Sequence, residues 1–327
     1  MSVSVIIPAY NACGFIRRAI DSVLDQSVAA DEIIVIDDAS TDDTRTLVAS
    51  LAQTHPQIRL IALPANGGPS AARNAGIAAA SGDWIAILDA DDAWKPGRLE
   101  RLLEVAADHA CDLVADNVVL YDQFEKVEVR LGLPPAACDK FITIVDLFES
   151  EKTGISSFSY VLIKPMISRR FLEKHGLCYN ERLKYSEDFV FLSELLFHKA
   201  RAFVTGDAHY VYTTRIGELS GVLNPHSQTV PRFDLVVQAG DELRAKYRSQ
   251  LTPRLEALMS RRRTEMGLIH HANVAREYRR SGRLVRYVLY LLMRPSLVFF
   301  LARRAPGHLQ RWLRRRRTFR PSEAPTP

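Results

Sequence analysis

Cysteine is scarce in this chain of 327 residues: Cys13, Cys111, Cys138 and Cys178 stand far apart, and none forms a C-x-x-C pair. That excludes a zinc ribbon or a disulfide framework and points to a reducing compartment. No apolar run reaches the roughly 20 residues needed to span a bilayer. Met1–Pro8 has no basic stretch ahead of a long apolar one, so a secretory signal is not expected. Neither G-x-G-x-x-G nor a P-loop occurs, which argues against a dinucleotide dehydrogenase or an NTPase. No internal repeat is present. What remains is ordinary for a globular protein, with 47% apolar and 25% charged residues, and the length fits one large domain or two unequal ones.

Charge is unevenly spread. From Arg276 to Pro327 there are 14 Arg, no Lys and two acids, a balance of +12. The rest of the chain carries 29 basic and 36 acidic residues, a balance of −7. The split suggests an acidic catalytic or binding body and a tail that meets polyanions.

The first 120 residues alternate strand and helix. Strands are expected at Val3–Pro8, Glu32–Asp37, Ile58–Leu63, Trp84–Leu88 and Asp112–Val119. Helices are expected near Ala12–Gln26, from Asp42, after Pro69 and from Pro96. The apolar runs are short and do not alternate, as in strands buried on both faces, so the fold class is α/β with a doubly wound, mostly parallel sheet. Residues 122–150 read as a less regular insertion. Phe158–Ile167 reads as strand, Ser168–His175 and Glu187–Lys199 as helices, and Arg201–Thr205 and His209–Thr214 as two strands. Residues 216–230 read as a mobile loop. Beyond Pro231 the chain is mostly helical, with a disordered end over Ser322–Pro327.

Ligands of such sheets bind beyond the carboxyl ends of the strands, and the polar clusters fall there. They are Pro8-Ala9-Tyr10-Asn11, Asp37-Asp38-Ala39-Ser40-Thr41-Asp42, Asn66-Gly67-Gly68-Pro69 and Asp89-Ala90-Asp91-Asp92. Asp89 and Asp91, if extended, point the same way and would suit a hard cation shared with phosphate oxygens. Their plainer role is to favour the following helix N-terminus. Asp38 suits a nucleobase imide or a ribose hydroxyl, or else an Asp turn, with Asp42 capping the next helix. Arg73 lies one turn inside a helix opened by a glycine turn, within reach of a base or phosphate. Glu187 and Asp188 either stabilise a helix start or supply a general base.

Taken in order, Pro8-Ala9-Tyr10-Asn11, Asp37-Asp38-x-Ser40-x-Asp42, Asn66-x-Gly68 with Ala72-Arg73-Asn74, Asp89-x-Asp91-Asp92 and Glu187-Asp188 resemble the inverting glycosyltransferases of family 2 over residues 1–215. The pattern is similar to bacterial exopolysaccharide transferases of the succinoglycan type. The resemblance implies a GT-A fold and a nucleotide-sugar donor, usually of UDP. It implies that Pro8, Ala9, Tyr10 and Asn11 line the nucleotide pocket, that Asp38 binds the base, and that Asn66 and Arg73 support the donor. Asp89 would touch ribose or metal, Asp91 would ligate Mn²⁺ or Mg²⁺, and Asp188, beside Glu187, would deprotonate the acceptor hydroxyl. His209 and Arg215 flank the last strand, where a basic group in related enzymes helps bind diphosphate or metal; a lone His on a strand is also a common structural residue. No Gln-x-x-Arg-Trp motif of processive synthases is present, so single-sugar addition is expected.

The expected organisation is a catalytic domain over 1–230, a helical, basic, membrane-associating extension over 231–320, and a disordered 321–327. The runs Tyr287–Met293 and Ser296–Ala302 are interrupted by Arg294 and Pro295 and followed by Arg303, Arg304, Arg311 and Arg314–Arg317. Such a segment suits an anionic membrane surface better than a membrane crossing, which implies peripheral attachment at the inner face of the cell membrane. No nucleic-acid module is present, and nucleic acid is not an expected partner. The expected partners are a nucleotide sugar and a lipid-linked or oligosaccharide acceptor. Competing readings are a polyprenyl-phosphate sugar synthase and a non-catalytic nucleotide-binding scaffold. A sugar nucleotidyltransferase would need an N-terminal Gly-rich, basic loop that is lacking.

Overall fold

The computed structural model describes residues 1–151, 158–214 and 231–301, and the chain divides into two compact units, Met1–Arg262 and Arg263–Pro327. The first unit is built on a sheet of ten strands. In chain order these are β1 (Val3–Ala9), β2 (Glu32–Asp37), β3 (Ile58–Ala62), β4 (Trp84–Ile87), β5 (Ala93–Trp94), β6 (Leu113–Asp122), β7 (Val127–Leu131), β8 (Lys140–Ile142), β9 (Met166–Ser168) and β10 (Ala202–Thr213). Their order across the sheet is β3-β2-β1-β4-β9-β6-β10-β5, with β7 beside β6 and β8 beside β10. The long pairings, β1 with β2 and β4, β2 with β3, and β6 with β10, are parallel. The short strands β5, β7, β8 and β9 pair antiparallel.

The chain leaves β1 toward β2 on one side and returns to β4 on the other. The sheet therefore has a topological switch at the carboxyl end of β1, where open α/β sheets hold ligands. The helices α1 (Ile16–Leu24), α2 (Thr44–Thr54), α3 (Pro69–Ala79) and α4 (Arg98–Asp108) cover the sheet. Helix α1 buries Ile16, Ala19, Ile20 and Val23, the i, i+3, i+4, i+7 stripe of an amphipathic helix. Helix α3 lies close on β1: a Cβ at Gly76 would come within 2.3 Å of the Ile6 Cγ2, so only glycine permits the approach. Helices α5 (Ile144–Ser150), α6 (Arg169–His175), α7 (Glu187–Phe197) and α8 (Phe233–Lys246) complete the unit with the start of α9 (Pro253–Arg280).

Several sequence expectations change here. Of the strand expected over Phe158–Ile167, only the Met166–Ser168 end pairs, and Tyr160–Leu162 forms a 3-10 turn. Ser159 caps that turn by accepting from the Val161 N–H, and Pro165 has no N–H to give a ladder. The two strands expected around residues 201–214 are one strand, β10, which keeps its pairing with β6 through a register irregularity between Thr205 and Tyr210. The insertion at 122–150 contains β7, β8 and α5. The first unit also runs past the expected boundary at 230. Helix α8 buries Phe233, Val236, Ala239 and Leu243, and its Lys246 pairs with Glu194 of α7 at 2.7 Å. The expected loop 216–230 and the tail 321–327 lie outside the described residues.

The second unit contains the rest of α9, then α10 (Leu284–Leu292) and α11 (Pro295–Leu301), the last two bent by 105° at their junction. Its small core gathers Ala272, Ala275 and Leu297, with Tyr287, Tyr290 and Leu291 packed around them. Among the described residues no single helix is long and apolar enough to cross a membrane.

Candidate active site

Three loops meet beyond the carboxyl ends of β1, β2 and β3. Asn11 adopts φ 48°, a left-handed conformation that Asn tolerates better than most residues. Its Oδ1 accepts from the Thr41 N–H at 2.8 Å, and its own N–H donates to the Ser40 Oγ at 3.0 Å. The next two amides donate to Thr44 Oγ1 and Asp42 Oδ2, at 2.8 and 3.1 Å. The loop after β1 is thus tied to the loop after β2, with Tyr10 half exposed at its tip. Asp42 accepts from the Thr44 N–H at 3.0 Å in an Asp turn, and the N-cap of α2 is Asp43 rather than the expected Asp42.

Asp38 ties in the third loop. Its two carboxylate oxygens accept from the Gly67 and Gly68 N–H groups, at 2.7 and 2.8 Å, and its carbonyl accepts from the Asn66 Nδ2 at 3.2 Å. Gly68 has φ 86°, which favours glycine and turns both amides toward the carboxylate before α3 begins. Burial, only partly offset by these two amides, pushes the Asp38 carboxyl above its ordinary range. Each oxygen retains a lone-pair site for a further donor.

Beside these loops lies a cluster of charge. The Arg73 guanidinium, 4% exposed, reaches Asp89 Oδ1 at 2.8 Å, Glu187 Oε1 at 2.9 Å and Asp188 Oδ1 at 3.2 Å. The Lys164 ammonium, 7% exposed, reaches Asp89 Oδ2 at 2.9 Å and Asp188 Oδ2 at 2.6 Å. Asp89, Arg73, Asp188 and Lys164 therefore form a closed ring of ion pairs in which each carboxylate spends one oxygen on each cation. Burial disfavours the Asp89 charge, yet Lys164 and Arg73 hold its carboxyl well below the usual carboxylate range. Burial likewise opposes the charge on Lys164 and Arg73, and Asp188 and Asp89 raise both well above their ordinary values. Tyr179 lies under the Arg73 guanidinium, 5.2 Å from ring centroid to carbon.

The acidic segment after β4 is a turn rather than extended chain: the Asp92 N–H donates back to the Asp89 carbonyl at 3.0 Å. The expectation that Asp89 and Asp91 point the same way therefore does not hold. Asp89 belongs to the ion-pair ring, and Asp91 follows in the turn. The turn is held from behind. Arg18 Nη2 donates to the Asp91 carbonyl at 2.5 Å and to Thr213 Oγ1 at 2.6 Å. Buried Asp92 accepts from the Tyr210 hydroxyl and the Thr213 N–H, both at 2.7 Å, and Tyr210 in turn accepts from the Asp89 N–H at 3.2 Å. Burial, reinforced by Asp91 and Asp89, pushes the Asp92 carboxyl far upward.

The structure brings together Pro8, Ala9, Tyr10, Asn11, Asp38 and Asn66 on the loop side, and Arg73, Asp89, Glu187 and Asp188 in the cluster. His209 is held through its main chain, donating to Asp116 Oδ2 at 3.0 Å and accepting from the Lys95 N–H at 2.7 Å, which fits the structural role. Arg215 lies outside the described residues. Lys164, Arg18, Asp92 and Tyr210 were not among the expected site residues. A lone lysine inside the apolar run Val161-Leu162-Ile163-Lys164-Pro165-Met166 was the available signal for Lys164.

A divalent cation would find oxygen donors alone here. Among the described residues no group of three or more His, Cys, Asp or Glu is arranged to hold an ion. Asp89 spends both oxygens on Arg73 and Lys164, and Asp91 is a second carboxylate in the same turn. One or two carboxylates fit a hard cation that completes its shell with phosphate oxygens.

The doubly wound sheet gathers its polar loops and the carboxylate cluster at its switch point, where open α/β enzymes hold their ligands. The sequence matches the family description "Glycosyl transferase family 2" over residues 4–176, and the chain belongs to that family. It is 38% identical over 252 residues to the succinoglycan biosynthesis protein ExoO of Rhizobium meliloti, covering 75% of this chain and 68% of that protein. It is 34% identical over 222 residues to ExoU, a succinoglycan biosynthesis protein of the same organism, covering 67% of this chain and 64% of that one. The fold resembles the crystal structure of S. aureus TarS 1-349 in complex with UDP-GlcNAc, with TM-score 0.61 and 21% identity, over 85% of this chain and 73% of that one. It also resembles the mannosyltransferase PcManGT from Pyrobaculum calidifontis in complex with GDP-Man and Mn²⁺, with TM-score 0.56 and 20% identity, over 90% and 84% of the two chains. These likenesses bear out the GT-A fold expected from the sequence.

Proposed function

We propose that the chain transfers a single sugar, with inversion, from a UDP-sugar to a lipid-linked or glycan acceptor in the assembly of a surface or exopolysaccharide. The observation that carries this reading is the adjacency of the three tied loops and the carboxylate cluster at one sheet edge. The succinoglycan relatives support the pathway class, and the UDP-GlcNAc complex of TarS supports the donor class. Asp38 would accept from the base, with Pro8, Ala9, Tyr10 and Asn11 lining the pocket and Asn66 supporting the loop. Arg73 would hold Asp89 against the ribose. Asp188 would accept the proton of the acceptor hydroxyl as that oxygen attacks the anomeric carbon opposite the leaving diphosphate. Asp91 would contribute a carboxylate to Mn²⁺ or Mg²⁺, which when bound neutralises charge on the diphosphate.

The full chain incubated with radiolabelled nucleotide sugars and Mn²⁺ or Mg²⁺ should turn over a UDP-sugar. UDP binding without turnover of any sugar nucleotide would instead favour a nucleotide-binding scaffold. Product analysis separates a sugar-extended glycan lipid from a polyprenyl-phosphate sugar, the product of a synthase using the same donor site.

The second unit adds a proposed location. Leu284, Val285, Val288, Leu289, Leu292 and Met293 form an exposed apolar face of α10, and Val298 and Phe299 are exposed on α11. Arg283, Arg286 and Arg294 lie among them, in the +12 segment. An apolar face fringed by arginine suits an anionic membrane surface, where each basic residue contributes about 1 kcal/mol. The full chain should co-sediment with phosphatidylglycerol vesicles at low salt and leave them at high salt; indifference to the vesicles at low salt would sink this assignment.

A further inference from the structure

We propose that Lys164 is a positioning residue for Asp188: its ammonium fixes the carboxylate that receives the acceptor proton. The proposal rests on the reading of Asp188 as that base. The contact to Asp188 Oδ2, at 2.6 Å, is shorter than the 2.9 Å contact to Asp89, and both lie in a pocket that leaves the lysine side chain only 7% exposed.

The lysine is itself aimed from the carboxyl end of its backbone. Its carbonyl accepts from Arg98 Nη2 at 2.7 Å. Arg98 is fully buried, paired with Asp116 at 2.7 Å, and lies between the Trp94 and Tyr210 rings at 4.6 and 5.0 Å. The Pro165 ring bonded to the Lys164 carbonyl restricts Lys164 to extended backbone. A compact ammonium on a stem launched from so fixed a point can pin one carboxylate oxygen.

Arg73 cannot do this alone. Its Nη1 is shared between Glu187 and Asp188, and its Nη2 serves Asp89. It touches Asp188 only at Oδ1, so without Lys164 the carboxylate can swing about that single contact. With the lysine present, both oxygens are fixed and each keeps a lone-pair site for the acceptor hydroxyl. Misplacing a reacting group by about 1 Å costs about 10²-fold in rate.

The test compares Lys164→Met, Asp188→Asn and the double variant with the wild-type full chain, measuring kcat and the KM for the nucleotide sugar. Lys164→Met should lower kcat about 10²-fold and leave the donor KM unchanged, because Arg73 still holds Asp89. Added to Asp188→Asn, it should lower kcat little further, since residues acting as one unit are not additive. The comparison within the Asp188→Asn background also removes the danger of a merely unfolded protein, because no extra carboxylate is stranded at that contact, and a thermal melt of each variant verifies the fold. Equal losses in both backgrounds, a loss in donor KM with kcat intact, or wild-type kinetics in Lys164→Met would overturn the role. If the wild type turns over no nucleotide sugar, the transferase reading falls and this role with it. If it does and Lys164→Met keeps pace, only the role of Lys164 falls.

Discussion

The loop side of the site and its charged side are held by different forces. Around Asn11, Ser40, Thr41, Asp38 and Gly67 the contacts are main-chain amides meeting short side chains, most of them spanning about thirty positions of sequence. Around Arg73 and Lys164 they are buried ion pairs, the longest joining Arg73 to Asp188 across 115 positions. Amide contacts fix shape with little net charge, which suits recognition of a nucleotide. The ion-pair ring concentrates field, and its two cations hold the Asp89 carboxyl, against its burial, well below the usual carboxylate range. Removing one member should therefore have unlike consequences on the two sides: modest and local among the loops, large and collective in the ring.

The largest effect is expected in the ring. Asp188→Asn should lower turnover by about 10²–10⁴-fold, the usual share of a general base, with UDP affinity by calorimetry unchanged. If Glu187→Gln shows that loss and Asp188→Asn does not, the base is Glu187. Arg73→Met leaves three carboxylates facing one ammonium in a pocket that had left the arginine 4% exposed. It should cost about 3–5 kcal/mol in urea unfolding, as breaking a buried pair does. A loss below 1 kcal/mol would mean that solvent already screens the ring. On the loop side, Asp38→Ala strands the Gly67 and Gly68 amides and should cost about 1–3 kcal/mol, with a parallel fall in UDP affinity. Unaltered UDP binding would remove Asp38 from the base pocket.

The smallest effect sharpens the contrast through pH. Folding raises the Asp92 carboxyl, chiefly by burial. A raised carboxyl gives stability that is present below its unfolded value, about 3.9, and is lost as pH climbs through the folded value. Asp92→Asn lacks that loss, so its melting temperature relative to wild type should rise from pH 4 to pH 8. A flat difference would show that Asp92 does not titrate against its burial.

What could be read ahead of the structure follows the same division. The strand ends and their polar clusters were legible because short apolar runs alternating with helical stretches fix both the parallel sheet and the edge to which its loops lead. The tie between Asp38 and the Gly67-Gly68 amides needs only that two such loops be neighbours. The ring was legible in half. Arg73, Asp89 and Glu187-Asp188 stood in motifs, but Lys164 stands alone in an apolar run, and its partners are chosen by the pairing of β9 with β4 and by the placing of α7. The extended reading of Asp89 and Asp91 failed because β4 ends at Ile87 and the chain then turns, with Tyr210 and Thr213, over a hundred positions away, holding Asp92 beneath it.

The closure of that ring bears on the order in which competence arises as the chain is made. Every partner in the amide-tied loops has been synthesised by Gly68, so these loops have what they need early. Arg73 and Asp89 have each other soon afterwards, but Lys164 follows Asp89 by 75 positions, just ahead of β9, and Asp188 follows it by 99, with α7. At synthesis rates of about 5–20 residues per second, a growing chain passes several seconds with its nucleotide loops complete and its acid cluster unfinished. On the proposed assignment, a nascent chain in that interval holds the parts that would recognise a donor and lacks the carboxylate that would use it.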